Sequence, residues 1–130
     1  MLQSPEVGTG SHPYWYAQVL EIYNTNVSTN HPAALRKSAQ RMEFLWVWWL
    51  GIEPGYRSGS KLACLPKVGF VEEADEDAFG FLDPDLIICG SHLIPDFNLG
   101  QTQDLMPYDG PTVAQHLDQK DDWINFYVNM

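Results

Sequence analysis

The chain has 130 residues, of which 45% are hydrophobic and 13% aromatic, a composition that excludes intrinsic disorder and is typical of one globular domain. It has no apolar run of about 18 residues, and the start "MLQSPEVGTGSHP" has no signal-peptide pattern, so we expect neither a membrane span nor secretion. The net charge of −10 is uneven, with about +2 on residues 1–67 and about −12 on residues 68–130. The acidic half argues against a phosphate backbone as its ligand and favours a basic partner.

Along the chain, we expect residues 1–11 to be a flexible N-terminus and residues 12–130 to form a single β-rich interaction domain. Short apolar runs separated by turn signals predict mainly β structure. The predicted strands cover residues 15–23, 43–50, 67–72, 78–83, 86–95 and 123–129. The acidic run "EEADED" is predicted to be the solvated tip of a hairpin.

Two short helices are predicted in the connections. The segment 32–42 has a proline at a suitable first helical position and apolar residues at helical spacing, and the segment 112–120 spaces Val113 and Leu117 in the same way. Six short strands with long connections predict an all-β fold, either a small, strongly curved barrel of the SH3-like type or a sandwich, with these helices in the connections.

The predicted strand 43–50, "EFLWVWWL", is apolar on both faces. Its even positions are Phe44, Trp46, Trp48 and Leu50, and its odd positions include Leu45, Val47 and Trp49. Such a strand is covered on both sides, or is covered on one side and used on the other. We predict that the even face is core. Because the strand pairing is not fixed by the sequence, the two faces are interchangeable at this point.

The aromatic residues suggest a binding surface, because a cluster of rings beside a carboxylate can hold a cationic or methylated ammonium group. The predicted ligand-binding residues are Tyr14, Tyr16, Trp49, Tyr56 and Asp83. The alternative is that most of these rings belong to the core.

Catalytic patterns are absent from the sequence. It contains no glycine-rich phosphate loop and no nucleophile elbow, and the spacing of Cys89 and His92 has no second pair to complete a zinc site. We therefore predict no enzyme, no metal and no cofactor. The alternative is an enzyme that uses His92 with Asp83, Asp85 or Asp96.

Both cysteines, Cys64 and Cys89, lie in apolar runs. They are therefore predicted to be buried free thiols in a reducing compartment. A single disulfide between them is the alternative.

Four stretches carry a family resemblance: "HPYWYAQVLEIYNTNV", "MEFLWVWWLGIEPGYRSG", "LPKVGFVEEADEDAFGFLDPDLIICGSHLIPDF" and "DDWINFYVNM". From about residue 12 onwards, the chain resembles the C-terminal region of proteins encoded by basidiomycete DNA transposons of the Plavaka-like and Kyakuja–Dileera–Zisupton-like groups. The catalytic acids of such proteins lie in a separate upstream domain. The resemblance thus implies a non-catalytic accessory domain.

A more distant similarity is to bromo-adjacent homology domains, the β-rich interaction modules of chromatin proteins. It is carried by three groups of residues: Tyr16, Ala17, Val19 and Ile22; Trp46 and Trp48; and Ile88, Gly90 and Ile94. This similarity implies a related barrel and a nuclear protein-interaction module, some of whose relatives read methylated histone tails. A cytoplasmic location is the alternative.

The expected function is therefore binding of a basic peptide, unmodified or methylated, through the aromatic cluster. One alternative is a nucleic-acid-binding accessory domain that uses the basic first half, with contacts from Arg36, Lys37, Arg41, Arg57, Lys61 and Lys67. Another is a structural domain that forms a homodimer, with its tryptophans buried between the two copies.

Overall fold

The computed structural model describes residues 1–5, 12–35, 38–58, 64–105, 110–115 and 121–129. Its regular structure in these residues is almost entirely β, as the sequence predicts. The strands are Leu2–Gln3 (β1), Tyr14–Val27 (β2), Gln40–Ile52 (β3), Lys67–Phe70 (β4), Phe79–Leu82 (β5), His92–Pro95 (β6), Gln101–Thr102 (β7), Asp122–Trp123 (β8) and Asn125–Asn129 (β9), and a 3₁₀ turn covers Pro84–Leu86.

Seven of these strands form one antiparallel sheet in the order β1-β2-β3-β4-β9-β6, and β5 pairs with β3 beside β4. The sheet is strongly curled, like half a barrel, which confirms the predicted barrel-like architecture. Strands β7 and β8 form a separate two-stranded sheet.

Strand β3 is the centre of the large sheet. One edge pairs with β2 from Tyr16–Leu50 to Val27–Gln40. The other edge is shared, since β5 pairs with residues 45–48 and β4 with residues 50–52. The acidic segment is therefore not the tip of a hairpin, and this part of the prediction is wrong. Residues 72–77 are an exposed loop between two strands that both pair with β3.

Both faces of β3 are buried over its second half. On the odd face, Leu45 and Val47 pack with Leu2 of β1. On the even face, Trp48 packs with Leu20, and its indole N–H donates to the Val71 carbonyl at 2.9 Å. The prediction that the even face is core holds for Trp48 and Leu50, whereas Phe44 and Trp46 are only half-buried, and the odd face is core as well.

A β-bulge in β2 changes which residues share a face. Val19 pairs with Val47, but the next pair is Glu21 with Trp46, so that Leu20 is the extra residue. Leu20 is buried against Trp48. Before the bulge, the even-numbered residues of β2 therefore lie on the same face of the sheet as Trp48. After the bulge, the odd-numbered residues of β2 lie on that face.

Beyond β1 and the bulge, the hairpin of β2 and β3 continues as an arm. We call this segment, residues 21–27 and 40–44, the arm. Most of its side chains are exposed. In the described residues no strand other than β2 pairs with residues 40–44 of β3. The arm is therefore a two-stranded projection from the body of the sheet.

The predicted helices are not formed where the chain is described. Residues 32–35 form a turn and a bend, and strand β3 begins at Gln40, inside the predicted helix 32–42. Residues 112–115 are irregular, and residues 116–120 lie outside the described part. Segment 32–42 fails as a helix because its end belongs to a long strand, whose cross-strand pairing overrides local helical spacing.

Other boundaries also differ from the predictions. Residues 86–90 are exposed, in the end of the 3₁₀ turn and the segment after it, and only His92–Pro95 of the predicted strand 86–95 forms β6. The predicted strand 123–129 is interrupted at Ile124. Within the predicted flexible N-terminus, Leu2 of β1 is buried and pairs with Trp15 of β2, and residues 6–11 lie outside the described part.

The prediction of buried cysteines is wrong. Cys64 and Cys89 are both exposed, and no disulfide joins them. Their apolar runs lie in connections on the surface, where Leu65 and Ile88 are also exposed. An apolar run without strand pairing gives no burial by itself.

We expect Trp48→Ala to lower the free energy of unfolding by about 3 to 5 kcal/mol, because it removes a fully buried ring from the centre of the sheet. Urea denaturation followed by circular dichroism measures this change. Leu35→Ala, at a fully exposed apolar position, is the control and should change the free energy by less than about 0.5 kcal/mol. Equal effects of the two substitutions would contradict the central role of Trp48.

Candidate functional site

An aromatic box that holds a cation is present, but the cation belongs to the chain itself. The ammonium of Lys67 lies 5.9 Å from the ring centre of Tyr56 and 5.7 Å from that of Tyr127. It forms an ion pair with Asp96 at 2.7 Å, and both side chains are nearly buried. This is the combination of rings and a carboxylate that the sequence predicts for an external ammonium group. Lys67 occupies it.

The charges in this box support one another. Hydrogen bonding to Lys67 lowers the pKa of the Asp96 carboxyl, and the same bond raises the pKa of the Lys67 ammonium. Asp96 also accepts hydrogen bonds from the Tyr127 hydroxyl at 3.4 Å and from the Asn98 amide at 3.2 Å. The box is therefore a closed, internally satisfied polar network, which fixes the end of β6 against β4 and β9.

The predicted cluster of Tyr14, Tyr16, Trp49 and Tyr56 is not assembled. Tyr16 is buried beside Leu50, and burial raises its pKa to about 12. Tyr14 packs against the same core residues. Trp49 lies on the opposite face of the sheet, edge-on to Trp15. Tyr14 and Tyr16 therefore lie together in the core, Trp49 is separated from them on the opposite face of the sheet, and Tyr56 lies at the Lys67 box.

The fifth predicted residue, Asp83, is exposed and caps the 3₁₀ turn, where its carboxylate accepts the Asp85 amide at 3.0 Å. Asp83 directly follows β5 and is two residues beyond Phe81 in the chain. The alternative enzymatic set is not assembled either, since in the described part His92 forms no hydrogen bond or ion pair with Asp83, Asp85 or Asp96. No three metal-ligating side chains converge among the described residues.

The basic residues of the nucleic-acid alternative differ in their surroundings and do not form one group. Lys67 is neutralised by Asp96, and Arg41 pairs with Glu43 at 3.4 Å on the exposed arm. Arg57 is exposed. The remaining three, Arg36, Lys37 and Lys61, lie outside the described residues. The described part therefore offers no continuous basic surface.

A continuous chain of aromatic rings, which the sequence does not identify as a unit, crosses the even face of β3. Neighbouring ring centres are 4.0 to 5.8 Å apart. In spatial order the chain consists of Tyr23, Phe44, Phe81, Trp46, Phe79, Trp48, Phe70 and Phe126. Its members come from five strands, which is why no single stretch of sequence reveals it.

One end of this aromatic chain reaches the surface. Phe81 is 67% exposed, and Phe44 and Trp46 are half-buried beside it. Cross-strand pairing places Met42 and Val27 of the arm on the same side, and both are exposed. We call this surface, formed by Val27, Met42, Phe44, Trp46 and Phe81 with Tyr23, the aromatic face. An exposed apolar patch of this kind on one side of a sheet is typical of an interaction site.

The described charged residues on the side of the aromatic face are acidic. Glu21 is paired with Trp46 and so projects to the same face. Asp83 follows β5 directly, and the acidic loop 72–77 leads to its start. Arg41 and Glu43 lie on the other side of the arm, opposite Asn26 and Asn24. The aromatic face is thus apolar at its centre and flanked by carboxylates.

Comparisons of the chain with protein-family models, with curated proteins and with solved structures find no match. Within the described residues, no helix has both the length and the apolar character needed to cross a membrane.

We expect Asp96→Asn to destabilise the domain at neutral pH, since it leaves Lys67 without its ion-pair partner. The lowered pKa of Asp96 contributes stability above the ordinary carboxyl value of 3.8, and this contribution is lost as the pH falls through the lowered value. The difference in unfolding free energy between the wild type and Asp96→Asn should therefore shrink below about pH 4. Urea titrations across pH measure it.

The exposed Asp85→Asn is the charge-matched control for this experiment and should show little difference from the wild type at any pH. A difference for Asp96→Asn that stays constant down to acid pH would show that the ion pair does not stabilise the fold.

Gly69→Ala tests the buried contact beside the box. A Cβ at Gly69 would lie 2.9 Å from the Asn125 Oδ1, and Asn125 donates from Nδ2 to Glu53 at 2.9 Å. We expect displacement of Asn125 to cost about 1 to 3 kcal/mol of unfolding free energy. Gly51→Ala in the neighbouring strand is the control, since its nearest contact would be an ordinary 3.8 Å to Val71. Equal urea midpoints for the two variants would contradict this account.

Proposed function

We propose that this domain is a non-catalytic protein-interaction module that binds a basic segment of a partner protein on the aromatic face. The observation that carries the proposal is the 67% exposure of Phe81, which lies near one end of the aromatic chain and rests on the half-buried rings of Phe44 and Trp46. Phe81 is held by ring contacts to Phe44 at 5.3 Å and to Trp46 at 4.8 Å. An exposed ring fixed on a rigid base is a suitable anchor for binding.

The contact energy of such a surface is sufficient for recognition. Covering Phe81, Met42 and Val27 removes apolar area from water, and each fully covered side chain contributes about 1.5 to 3 kcal/mol before the costs of association. The rings that support Phe81 are already packed in the absence of a partner, so ordering them costs little on binding. Pre-organisation of this kind favours affinity.

The charge pattern supports a basic partner. Carboxylates at Glu21 and Asp83 flank the aromatic face, and the second half of the chain carries about −12. Lysine or arginine side chains at the rim would meet these carboxylates, which speeds and orients encounter more than it adds affinity. The resemblance to transposon-encoded and bromo-adjacent homology proteins supports a nuclear setting for this partner.

Recognition of a methylated lysine has less support than recognition of a basic segment as such. The rings of the aromatic face contact one another directly, with neighbouring ring centres 4.8 to 5.4 Å apart, rather than being spaced around a cation. The one described pair of rings around a cation already holds Lys67. The proposal therefore relies on an apolar anchor with basic neighbours.

A set of short synthetic peptides tests the proposal, each with several lysines or arginines around one leucine or tryptophan. Matched peptides replace the apolar anchor by glycine or the basic residues by glutamine. We expect measurable binding by fluorescence anisotropy only when both the anchor and the basic residues are present. Phe81→Ala should weaken this binding about tenfold or more, as is typical of a central anchor.

Leu86→Ala is the matched control, because this side chain is 59% exposed but lies outside the aromatic face. It should leave binding unchanged. Three outcomes would contradict the proposal: peptide binding that Phe81→Ala does not affect, salt-sensitive binding to a DNA duplex alone, or a mass of two chains in solution that Phe81→Ala reduces to one. The last outcome would make a second copy the partner.

A further inference from the structure

A cleft of about 630 Å³ is lined by residues of both sheets and of the segment 112–115. Strands β2, β6 and β9 supply one wall, and β7, β8 and Ala114 with Gln115 supply the other. The aromatic chain ends here, since its last ring, Phe126, lines the cleft. The cleft therefore lies at the opposite end of this aromatic chain from Tyr23 and the aromatic face.

The cleft is polar and acidic. Asp121 and Asp122 both line it, and none of its lining residues is a lysine or arginine. Asp122 is buried and accepts a hydrogen bond from the side-chain amide of Gln115, while Asp121 accepts one from Gln103 at 2.7 Å. Burial raises the pKa of Asp122, and the negative charge of the neighbouring Asp121 adds to this, while the hydrogen bond from Gln115 offsets part of it.

Other polar and aromatic groups line the same space. The amide side chains of Gln18 and Gln101 contribute further carbonyl acceptors. The Ser91 Oγ is buried and has no hydrogen-bond partner among the described residues. Trp123 forms part of the lining and is held edge-on by Phe97, with the ring centres 5.1 Å apart. The cleft thus combines carboxylates, unused acceptor capacity and a fixed indole.

We infer that this cleft binds a guanidinium group. The group would come from an arginine side chain of the basic partner segment, and this source rests on the proposed function. A guanidinium is planar, donates two parallel hydrogen bonds to a carboxylate and stacks on aromatic rings. Asp122 with Asp121 supplies the carboxylates, and Trp123 with Phe126 supplies the rings. An ammonium is more strongly hydrated and lacks this planar fit.

Binding of small arginine compounds tests the cleft directly. In ¹H–¹⁵N correlation spectra of the full chain, N-acetyl-arginine amide should shift the signals of Asp122, Gln115 and the Trp123 indole. N-acetyl-citrulline amide has nearly the same shape but no charge and should shift none of them. Equal shifts with the arginine and citrulline compounds, or no shift with either, would overturn the inference.

The variants Asp122→Asn and Phe81→Ala separate this inference from the proposed function. Asp122→Asn keeps an acceptor for Gln115 and should weaken binding of the arginine compound and of arginine-containing peptides about tenfold. The charge-matched Asp85→Asn, outside the cleft, should weaken neither. Peptide binding that is lost in Phe81→Ala but unchanged in Asp122→Asn overturns the cleft and leaves the proposed function standing. Binding of the arginine compound without any peptide binding leaves the cleft standing and removes its proposed source.

Discussion

Pairing along β3 is the constraint on which the rest of the structure depends. Strands β2, β4 and β5 pair with it directly, and β1, β9 and β6 are attached through β2 or β4. Since one edge of β3 is divided between β5 and β4, the strand must be long, and both of its faces must be apolar over the shared region. The tryptophans of this strand have a structural role, because Trp48 is buried in the core on the even face, while Val47 is buried in the core on the odd face. The aromatic face exists because the strand continues beyond this shared region.

Much of the fold follows from local sequence patterns. Alternating aromatic and β-branched residues predict β2, β3, β4 and β5, and the two-sided apolar pattern of residues 43–50 predicts a strand covered on both sides. The failures have one physical origin, which is pairing between distant segments. The run 86–90 is apolar, but apart from an isolated bridge between Ile87 and Leu2 it does not pair with the sheet, and its residues are exposed. Segment 32–42 has helical spacing, but its last residues pair with β2.

The candidate sites were less predictable than the fold, for the same reason. The sequence predicts rings and a carboxylate around an external ammonium group and includes Tyr56 among the rings, whereas in the structure Tyr56 lies beside the chain's own Lys67. It does not reveal that the carboxylate is Asp96 or that the cation is Lys67, since these residues are brought together by the pairing of β4, β9 and β6. Phe81 was missed because "AFGFLD" is read as an ordinary strand. In this stretch Phe79 and Phe81 are two residues apart and so lie on one face of the strand, which was the pattern that could have predicted an aromatic surface there. The transposon and bromo-adjacent homology resemblances stay predictions.

The bulge at Leu20 has a consequence for how the long hairpin forms. In the body, contacts of Tyr16 with Leu50 define the alignment of β2 and β3, whereas in the arm the stacking of Tyr23 on Phe44 defines it. The two alignments differ by one residue, and an unbroken ladder extended from the body would place Ile22 opposite Phe44. During folding, the strand pairing in one half of the hairpin therefore does not fix the pairing register of the other half. Leu20 absorbs the offset, and its burial against Trp48 joins the two halves.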